Sequence, residues 1–241
     1  MTEKDTTFVA LLKDCILKKD LHKGIKVHAD VLKKGLLGKS PYIASALITM
    51  YAKCGSLVEA REAFDKLPIR DNVSWNVLIS GYAEHGPYQE AITCFARMRT
   101  DNVWQGVVTF MWCIKACGNM GAFDKGREMH FDSVLRGFDR DPSLSSSLLD
   151  MYAKLSLLLD ARYIFEKLES CDVTSWNTMI KAYGINQQSE IAISLFKRMR
   201  EVGVKSDAAT FSCFLKACSR ASLIRESCEV FRRMVEENMC T

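Results

Sequence analysis

The sequence predicts an all-α chain, an α-solenoid of stacked helix-turn-helix repeats wound as a right-handed superhelix. Three observations carry this. The segment from Leu47 to Phe110 returns without a gap as Leu148 to Phe211, with 26 of the 64 aligned positions identical. Inside it, apolar residues recur three and four apart, the spacing of one helix face. Strand-like alternation is not evident, and 241 residues hold only 4 prolines. Self-similarity on this scale marks a modular array rather than one core around a catalytic cleft.

The elements follow from the repeat. Residues 5–40 resemble 107–141: Thr7-Phe8 matches Thr109-Phe110, and Lys23-Gly24 with His28 matches Lys125-Gly126 with His130. Residues 41–71 resemble 142–172, where Met50-Tyr51-Ala52-Lys53 returns as Met151-Tyr152-Ala153-Lys154. Residues 72–106 return as 173–207, with Ser74-Trp75-Asn76 becoming Ser175-Trp176-Asn177 and Arg97-Met98-Arg99 becoming Arg198-Met199-Arg200. Residues 208–241 open a further, partial copy with Thr210-Phe211 and Lys216-Ala217-Cys218. In 72–106, Trp75, Leu78, Ile79 and Tyr82 form one apolar helix face, and Ala91, Ile92, Phe95 and Met98 form a second. Gly86 stands between them where a left-handed C-cap belongs, as do Gly55 and Gly121 in their units. Thr7, Ser74, Thr109, Ser175 and Thr210 are expected as N-caps of the first helices. One hairpin cannot bury its apolar face alone, so neighbours must stack. The first helices are expected to line a concave surface.

Composition narrows the function. The net charge of +4 permits nucleic-acid binding without demanding it. The ten cysteines contain no CxxC pair, and with the histidines they form no zinc pattern. Cys15, Cys117 and Cys218 share one repeat position and read as small buried packing residues, which implies free thiols and a reducing compartment. No apolar run approaches the roughly 18 residues that span a membrane. The start, Met1-Thr2-Glu3-Lys4-Asp5, is neither a signal peptide nor an Arg-rich transit peptide, and the array runs to Thr241, as in a fragment of a longer protein. None of His22, His28, His85 or His130 is followed by Glu two residues on, so the zinc-deaminase signature is missing. Phosphate-binding glycine loops and nucleophile constellations are missing too. The chain is therefore expected to be no enzyme, with no metal, no cofactor and no small-molecule substrate.

Val73-Ser74-Trp75-Asn76, Met50-Tyr51-Ala52-Lys53-Cys54-Gly55 and the run from Gly24 to His28 resemble the pentatricopeptide repeat (PPR) proteins of plants. The alternating lengths resemble that family's P, L and S repeats. On that pattern 5–40 is L-type, 41–71 S-type, 72–106 P-type, 107–141 L-type, 142–172 S-type, 173–207 P-type and 208–241 a partial L-type repeat. The resemblance implies single-stranded RNA binding at one nucleotide per repeat, with bases read by the fifth and last residues of each. It also implies work on mitochondrial or chloroplast transcripts, most often C-to-U editing or other RNA processing. An editing deaminase would then lie on a missing C-terminal part or act in trans with other editing factors. The competing reading is a protein-interaction solenoid of the tetratricopeptide kind that holds a peptide.

Carried over position by position, the resemblance pairs Ser45 with Asp71 and Ser146 with Asp172, a hydroxyl and a carboxylate suited to guanine. Asn177 with Asp207 suits uracil. Asn76 with Gly106 departs from the pattern and implies a pyrimidine at best. Val9 with Ser40 and Met111 with Asp141 offer no side-chain donor in the fifth place, and Ser212 has no visible last-position partner. The implied footprint is 5′-N-G-Y-N-G-U-N-3′. Lys13, Lys53, Lys115, Lys154 and Lys216 recur on first helices as phosphate contacts or as a solvated face. Ser45 and Ser146 could instead cap helices, and the aspartates would suit helix N-termini in any case. Trp75 and Trp176 read as core by their spacing, His28 and His130 as packing residues. Trp104 and Trp112, without repeat partners, read as local packing.

Overall fold

The computed structural model describes residues 3–36, 40–67, 69–168 and 170–220. The second half of the last repeat, 221–241, lies outside them. The described residues form thirteen α-helices and no strand. The chain divides into two compact units, Met1–Met120 and Gly121–Thr241. The division falls between the two helices of the segment 107–141.

The first unit holds α1 (Glu3–Lys18), α2 (Leu21–Lys33), α3 (Pro41–Lys53), α4 (Leu57–Asp65), α5 (Asn72–His85), α6 (Tyr88–Thr100) and α7 (Val107–Met120). Helices pair as hairpins, α1 with α2, α3 with α4 and α5 with α6. The first helix of each hairpin also packs on the next first helix, α1 on α3, α3 on α5 and α5 on α7. The second unit holds α8 (Phe123–Leu135), α9 (Pro142–Lys154), α10 (Leu158–Lys167), α11 (Val173–Ile185), α12 (Ser189–Glu201) and α13 (Ala208–Arg220). There α9 pairs with α10 and α11 with α12, while α11 packs on both α9 and α13.

The repeated residues make repeated contacts. Trp75 is fully buried edge-on against Phe64 at 4.5 Å, and Trp176 sits against Phe165 at 4.8 Å. Arg97 and Arg198 lie over these indoles at 5.6 and 5.9 Å. Each large ring removes its apolar area from water at the joint between successive hairpins, so loss of one would cost about 3–5 kcal/mol. His28 Nδ1 and Tyr51 Oη are 2.8 Å apart, and His130 Nδ1 and Tyr152 Oη are 2.7 Å apart. These pairs tie α2 to α3 and α8 to α9. Cys15, Cys117 and Cys218 are completely buried, as the shared small position requires.

The turn at Gly86 needs a positive φ, 71°, and Gly55 and Gly121 adopt 78° and 72°. Gly86 has ψ near 169°, so it closes α5 in extended, glycine-only geometry rather than as a left-handed helical residue. In the second copy Ser156 and Gln187 take the places of Gly55 and Gly86, at φ 60° and 61°. Close approach explains Gly184: a Cβ there would lie 2.8 Å from Ala217 Cβ, where α11 meets α13.

The caps correct the sequence reading. Ser74 and Ser175 are not N-caps; they lie in the first turn of α5 and α11. The caps are Asp71 and Asp172, whose Oδ1 atoms accept from the backbone N–H of Ser74 (2.9 Å) and Ser175 (2.8 Å). Thr210 likewise sits inside α13 and donates both its N–H and its hydroxyl to Asp207 Oδ1, each at 2.7 Å. Thr7 and Thr109 also fall inside helices, α1 and α7. A hydroxyl two or three residues past an acid looks like a cap in sequence, but the shorter reach of the acid to those N–H groups wins.

Candidate nucleic-acid interface

The residues expected to read bases sit at the starts of first helices. Asp71, Asp141, Asp172 and Asp207 each precede a helix, and each uses Oδ1 for the capping bonds. The second carboxylate oxygen takes no part in those capping bonds among the described residues. The backbone N–H of Thr210 holds the Asp207 carboxyl below the usual carboxylate range, aided by the Thr210 hydroxyl and Asn177.

The structure brings one expected pair into direct contact. Asn177 Nδ2 donates to Asp207 Oδ1 at 3.1 Å. Because the Thr210 hydroxyl turns to Asp207, Asn177 Oδ1 is left buried with no hydrogen-bond partner among the described residues. A buried acceptor without a donor costs about 1–3 kcal/mol, so a ligand N–H arriving there would be favoured.

The equivalent site in the first copy is built differently. Gly106 offers no carboxylate, and the Thr109 hydroxyl donates instead to Asn76 Oδ1 at 2.8 Å. Asn76 Nδ2 donates to Asn72 Oδ1 at 2.9 Å, and Asn72 Nδ2 donates to the Trp104 carbonyl at 2.6 Å. Both ends of the Asn76 amide are thus engaged by protein. The Trp104 ring lies over Gly106: a Cβ on that glycine would be 2.5 Å from Cζ3 and 3.0 Å from Cη2. Trp104 is 65% exposed, and its ring packs locally over Gly106.

The remaining positions divide. Ser146 is exposed and turns its hydroxyl back to the Pro142 carbonyl at 2.9 Å, one turn down its own helix. It lies in the second turn of α9 and is not a cap, and Ser45 lies half-buried at the same place in α3. Met111 is half-buried on α7, and Ser212 is exposed on α13. Among the lysines, Lys53 pairs with Glu84 at 2.9 Å and Lys154 with Asp150 at 2.7 Å. Those two charges are already partly neutralised. Lys115 lies over the Trp112 ring at 4.8 Å, and Lys53 lies over the same ring at 5.6 Å. Lys13 and Lys216 are exposed on α1 and α13.

Sequence reasoning missed Thr109 and Thr210 as partners of Asn76 and Asp207, and it missed that the Trp104 ring lies over Gly106. Comparing the two copies would have shown the last: Trp104 and Gly106 stand where Lys205 and Asp207 stand 101 residues later. No group of three or more His, Cys, Asp or Glu that could hold a metal ion occurs among the described residues. Burial pushes the Cys94 thiol up to about 12 and raises those of Cys15, Cys171 and Cys213, which keeps them protonated.

Comparison with known proteins agrees with this architecture. A PPR repeat model matches residues 42–71, 73–103, 144–173 and 209–239, and a PPR repeat family model matches 171–220. A mitochondrial pentatricopeptide repeat-containing protein of Arabidopsis thaliana is 37% identical over 216 residues, 90% of this chain and 21% of its own. A chloroplastic one from the same plant is 34% identical over 239 residues, 98% of this chain and 32% of its own. The chain thus spans about a fifth to a third of these relatives. Among solved structures, maize PPR10 matches with TM-score 0.60 at 16% identity, over 97% of this chain and 40% of PPR10. A tetratricopeptide repeat protein from Parabacteroides merdae matches with TM-score 0.65 at 14% identity, over 100% of this chain and 94% of that one. The tetratricopeptide match shares only the helical-hairpin fold, whereas the repeat models recognise the residues themselves: the chain belongs to the PPR repeat family.

Proposed function

We propose that this chain binds single-stranded RNA through its repeats, one nucleotide to each, and does no chemistry on it. The observation that carries the reading is the Asn177–Asp207 pair, joined at 3.1 Å at the head of a first helix with the Asn177 oxygen unsatisfied. Short polar groups held at a rigid helix start suit the Watson–Crick edge of an unstacked base. Uracil offers one N–H between two carbonyls. The Asp207 carboxylate or the Asn177 oxygen would accept that N–H, and the Asn177 amide would donate to a carbonyl. Asp71 and Asp172, each with an oxygen outside the cap, would accept from the guanine N–H groups beside Ser45 and Ser146.

Related proteins support the reading. PPR10 has been solved in complex with an 18-nt psaJ RNA element, and the PPR domain of Arabidopsis protein-only RNase P 1 in complex with tRNA. Relatives named as mitochondrial and chloroplastic support an organelle as the place of action. The recognition segment would then position transcripts for an editing deaminase or another processing factor acting from elsewhere in the protein or in trans.

The test is fluorescence anisotropy at fixed moderate salt, because phosphate contacts make affinity salt-dependent. The probe carries guanine at the second and fifth places and uracil at the sixth; the control exchanges both guanines for adenine. Preference for the probe, moved toward adenine by Asp71→Asn with Asp172→Asn, supports the register. Equal binding of both probes sinks base reading, and no RNA binding beside tight capture of a peptide makes the chain a protein scaffold.

A further inference from the structure

We infer that Thr109 is a positioning residue that weakens base reading at repeat 72–106, because its hydroxyl satisfies the Asn76 oxygen that a base would otherwise complete. The inference rests on the RNA-binding reading above. It names a control on that reading which lies outside the fifth and last residues of the repeat.

The hydroxyl has one proton to give, and the two copies give it differently. Thr210 donates to Asp207 Oδ1 at 2.7 Å, and Asn177 Oδ1 stays buried with no partner among the described residues. Thr109 has glycine, not aspartate, three residues before it, and donates to Asn76 Oδ1 at 2.8 Å. A charged acceptor makes the stronger bond, so a carboxylate in the last place draws the proton away from the amide oxygen. Both threonines are fully buried, so neither hydroxyl turns to water instead.

The direction of the Thr109 bond is fixed from the far end of a hydrogen-bonded chain. The Trp104 carbonyl can only accept, and it takes an N–H of the Asn72 amide at 2.6 Å. That turns Asn72 Oδ1 toward Asn76, whose Nδ2 donates to it at 2.9 Å from one turn further along α5. The Asn76 oxygen then faces Thr109, whose hydroxyl must donate. One backbone carbonyl thus sets both amides and the hydroxyl. In the second copy Val173 stands where Asn72 stands, so its side chain cannot take that part.

An amide oxygen that already holds a donor gains little from a base N–H, whereas an orphaned one gains a bond it lacks. Uracil brings its ring N–H and cytosine its amino group. Repeat 72–106 therefore spaces its neighbours along the RNA while drawing little affinity from the base, and repeat 173–207 draws more. The fifth residue is asparagine in both. The difference lies in where the third residue of the next repeat sends its proton.

The experiment measures anisotropy of the 241-residue chain with RNAs that carry uracil, cytosine or an abasic nucleotide facing repeat 72–106, and with a matched set facing repeat 173–207. For wild type, removing the base costs about threefold or less at the first place and about tenfold at the second. T109V keeps the shape of the side chain without the hydroxyl, so the Asn76 oxygen is orphaned as that of Asn177 is. It binds the uracil and cytosine RNAs about fivefold tighter than wild type and the abasic RNA no tighter, while T109S, which keeps the hydroxyl, behaves as wild type. A threonine with a merely structural role would lose affinity for all three when replaced. Circular dichroism melting checks that T109V is folded, and the wild-type comparison stands without it. Wild type losing as much at 72–106 as at 173–207, or folded T109V gaining nothing for uracil, overturns the inference and leaves the RNA-binding reading standing. Wild type losing nothing at either place, or binding none of the RNAs, overturns both.

Discussion

Asp207 caps a helix and, on the proposed reading, also meets a base, which makes it the sharpest place to probe. It caps α13 through the Thr210 N–H and hydroxyl, both at 2.7 Å, and it accepts the Asn177 amide at 3.1 Å. Asp207→Ala removes the cap, a loss of about 1 kcal/mol. The hydrogen bond to Asn177 adds roughly 0.5–1.5 kcal/mol, near the lower end because the residue is exposed. The variant should therefore lose about 1–2 kcal/mol, seen as a lower urea midpoint with little change in slope. Asp207→Asn keeps a side-chain oxygen for the cap, and Asn caps as well as Asp does, so its stability should stay within about 0.5 kcal/mol of wild type. Its effect on RNA should be large instead. The exchange turns an acceptor into a donor, and cytosine presents a bare ring nitrogen where uracil presents N–H. The preference at that place should pass from uracil to cytosine, by about tenfold for a hydrogen bond with a charged partner worth roughly 1.5 kcal/mol. Urea titration and anisotropy on the same preparations check both halves. If Asp207→Asn loses as much stability as Asp207→Ala, or if uracil stays preferred in Asp207→Asn, the double role is refuted.

Other outcomes follow from the packing. Ser156→Gly and Gln187→Gly should each raise stability by about 1 kcal/mol, since each relieves a left-handed backbone that the first copy gives to glycine; unchanged melting of both would contradict this. Gly184→Ala should cost about 1–3 kcal/mol, because the new methyl meets Ala217 Cβ and must part α11 from α13; a neutral melt would show that the helices slide apart without cost. Burial lowers the pKa of His28 and His130, so the unfolded chain binds more protons below its own value of about 6.5. Their contribution is complete above that pH and lost as pH falls through the lower folded values. Melts from pH 7 to 5 should show the decline, and it should shrink in the His28→Gln, His130→Gln variant. Asp14, held near 2 by hydrogen bonds from Lys18 and Lys23, acts in a separate window: its contribution is present above about 4 and lost as pH falls toward 2. An Asp14→Asn variant should therefore flatten only the most acid part of the profile.

The helices were legible because their signal is periodic and doubled. Trp75, Leu78, Ile79 and Tyr82 mark a face by spacing, Trp176, Met179, Ile180 and Tyr183 repeat it, and all eight side chains are buried. The caps were less legible. Asp71 and Ser74 are both good cap residues three apart, and spacing alone does not say which one reaches back to the other. The pairing of Asn177 with Asp207 was legible only through resemblance, since 30 residues separate partners that meet across a joint between hairpins. The Lys154 ion pair was legible in the sequence, because Asp150 stands one helical turn before it. That of Lys53 was not, because Glu84 reaches it from the neighbouring helix α5. Trp104 escaped because a residue without a repeat counterpart carries no periodic signal.

The capping aspartates carry a consequence for how such an array can change its target. A residue that ends one repeat also fastens the next helix, so its replacements are drawn from a short alphabet: Asp, Asn, Ser, Thr and, at a small cost, Gly. Those are the side chains that can hold a helix end, and they are also short, polar and able to meet a base edge. On the proposed reading, a mutation within that alphabet would rewrite one letter of the recognised sequence while the scaffold stays folded. Outside it, a change of letter also loosens the joint that presents it. On that reading, adaptation to a drifting transcript would be channelled through a handful of nearly neutral steps, and Gly106 stands at the end of the alphabet, with a helix start to mark and no side chain to offer.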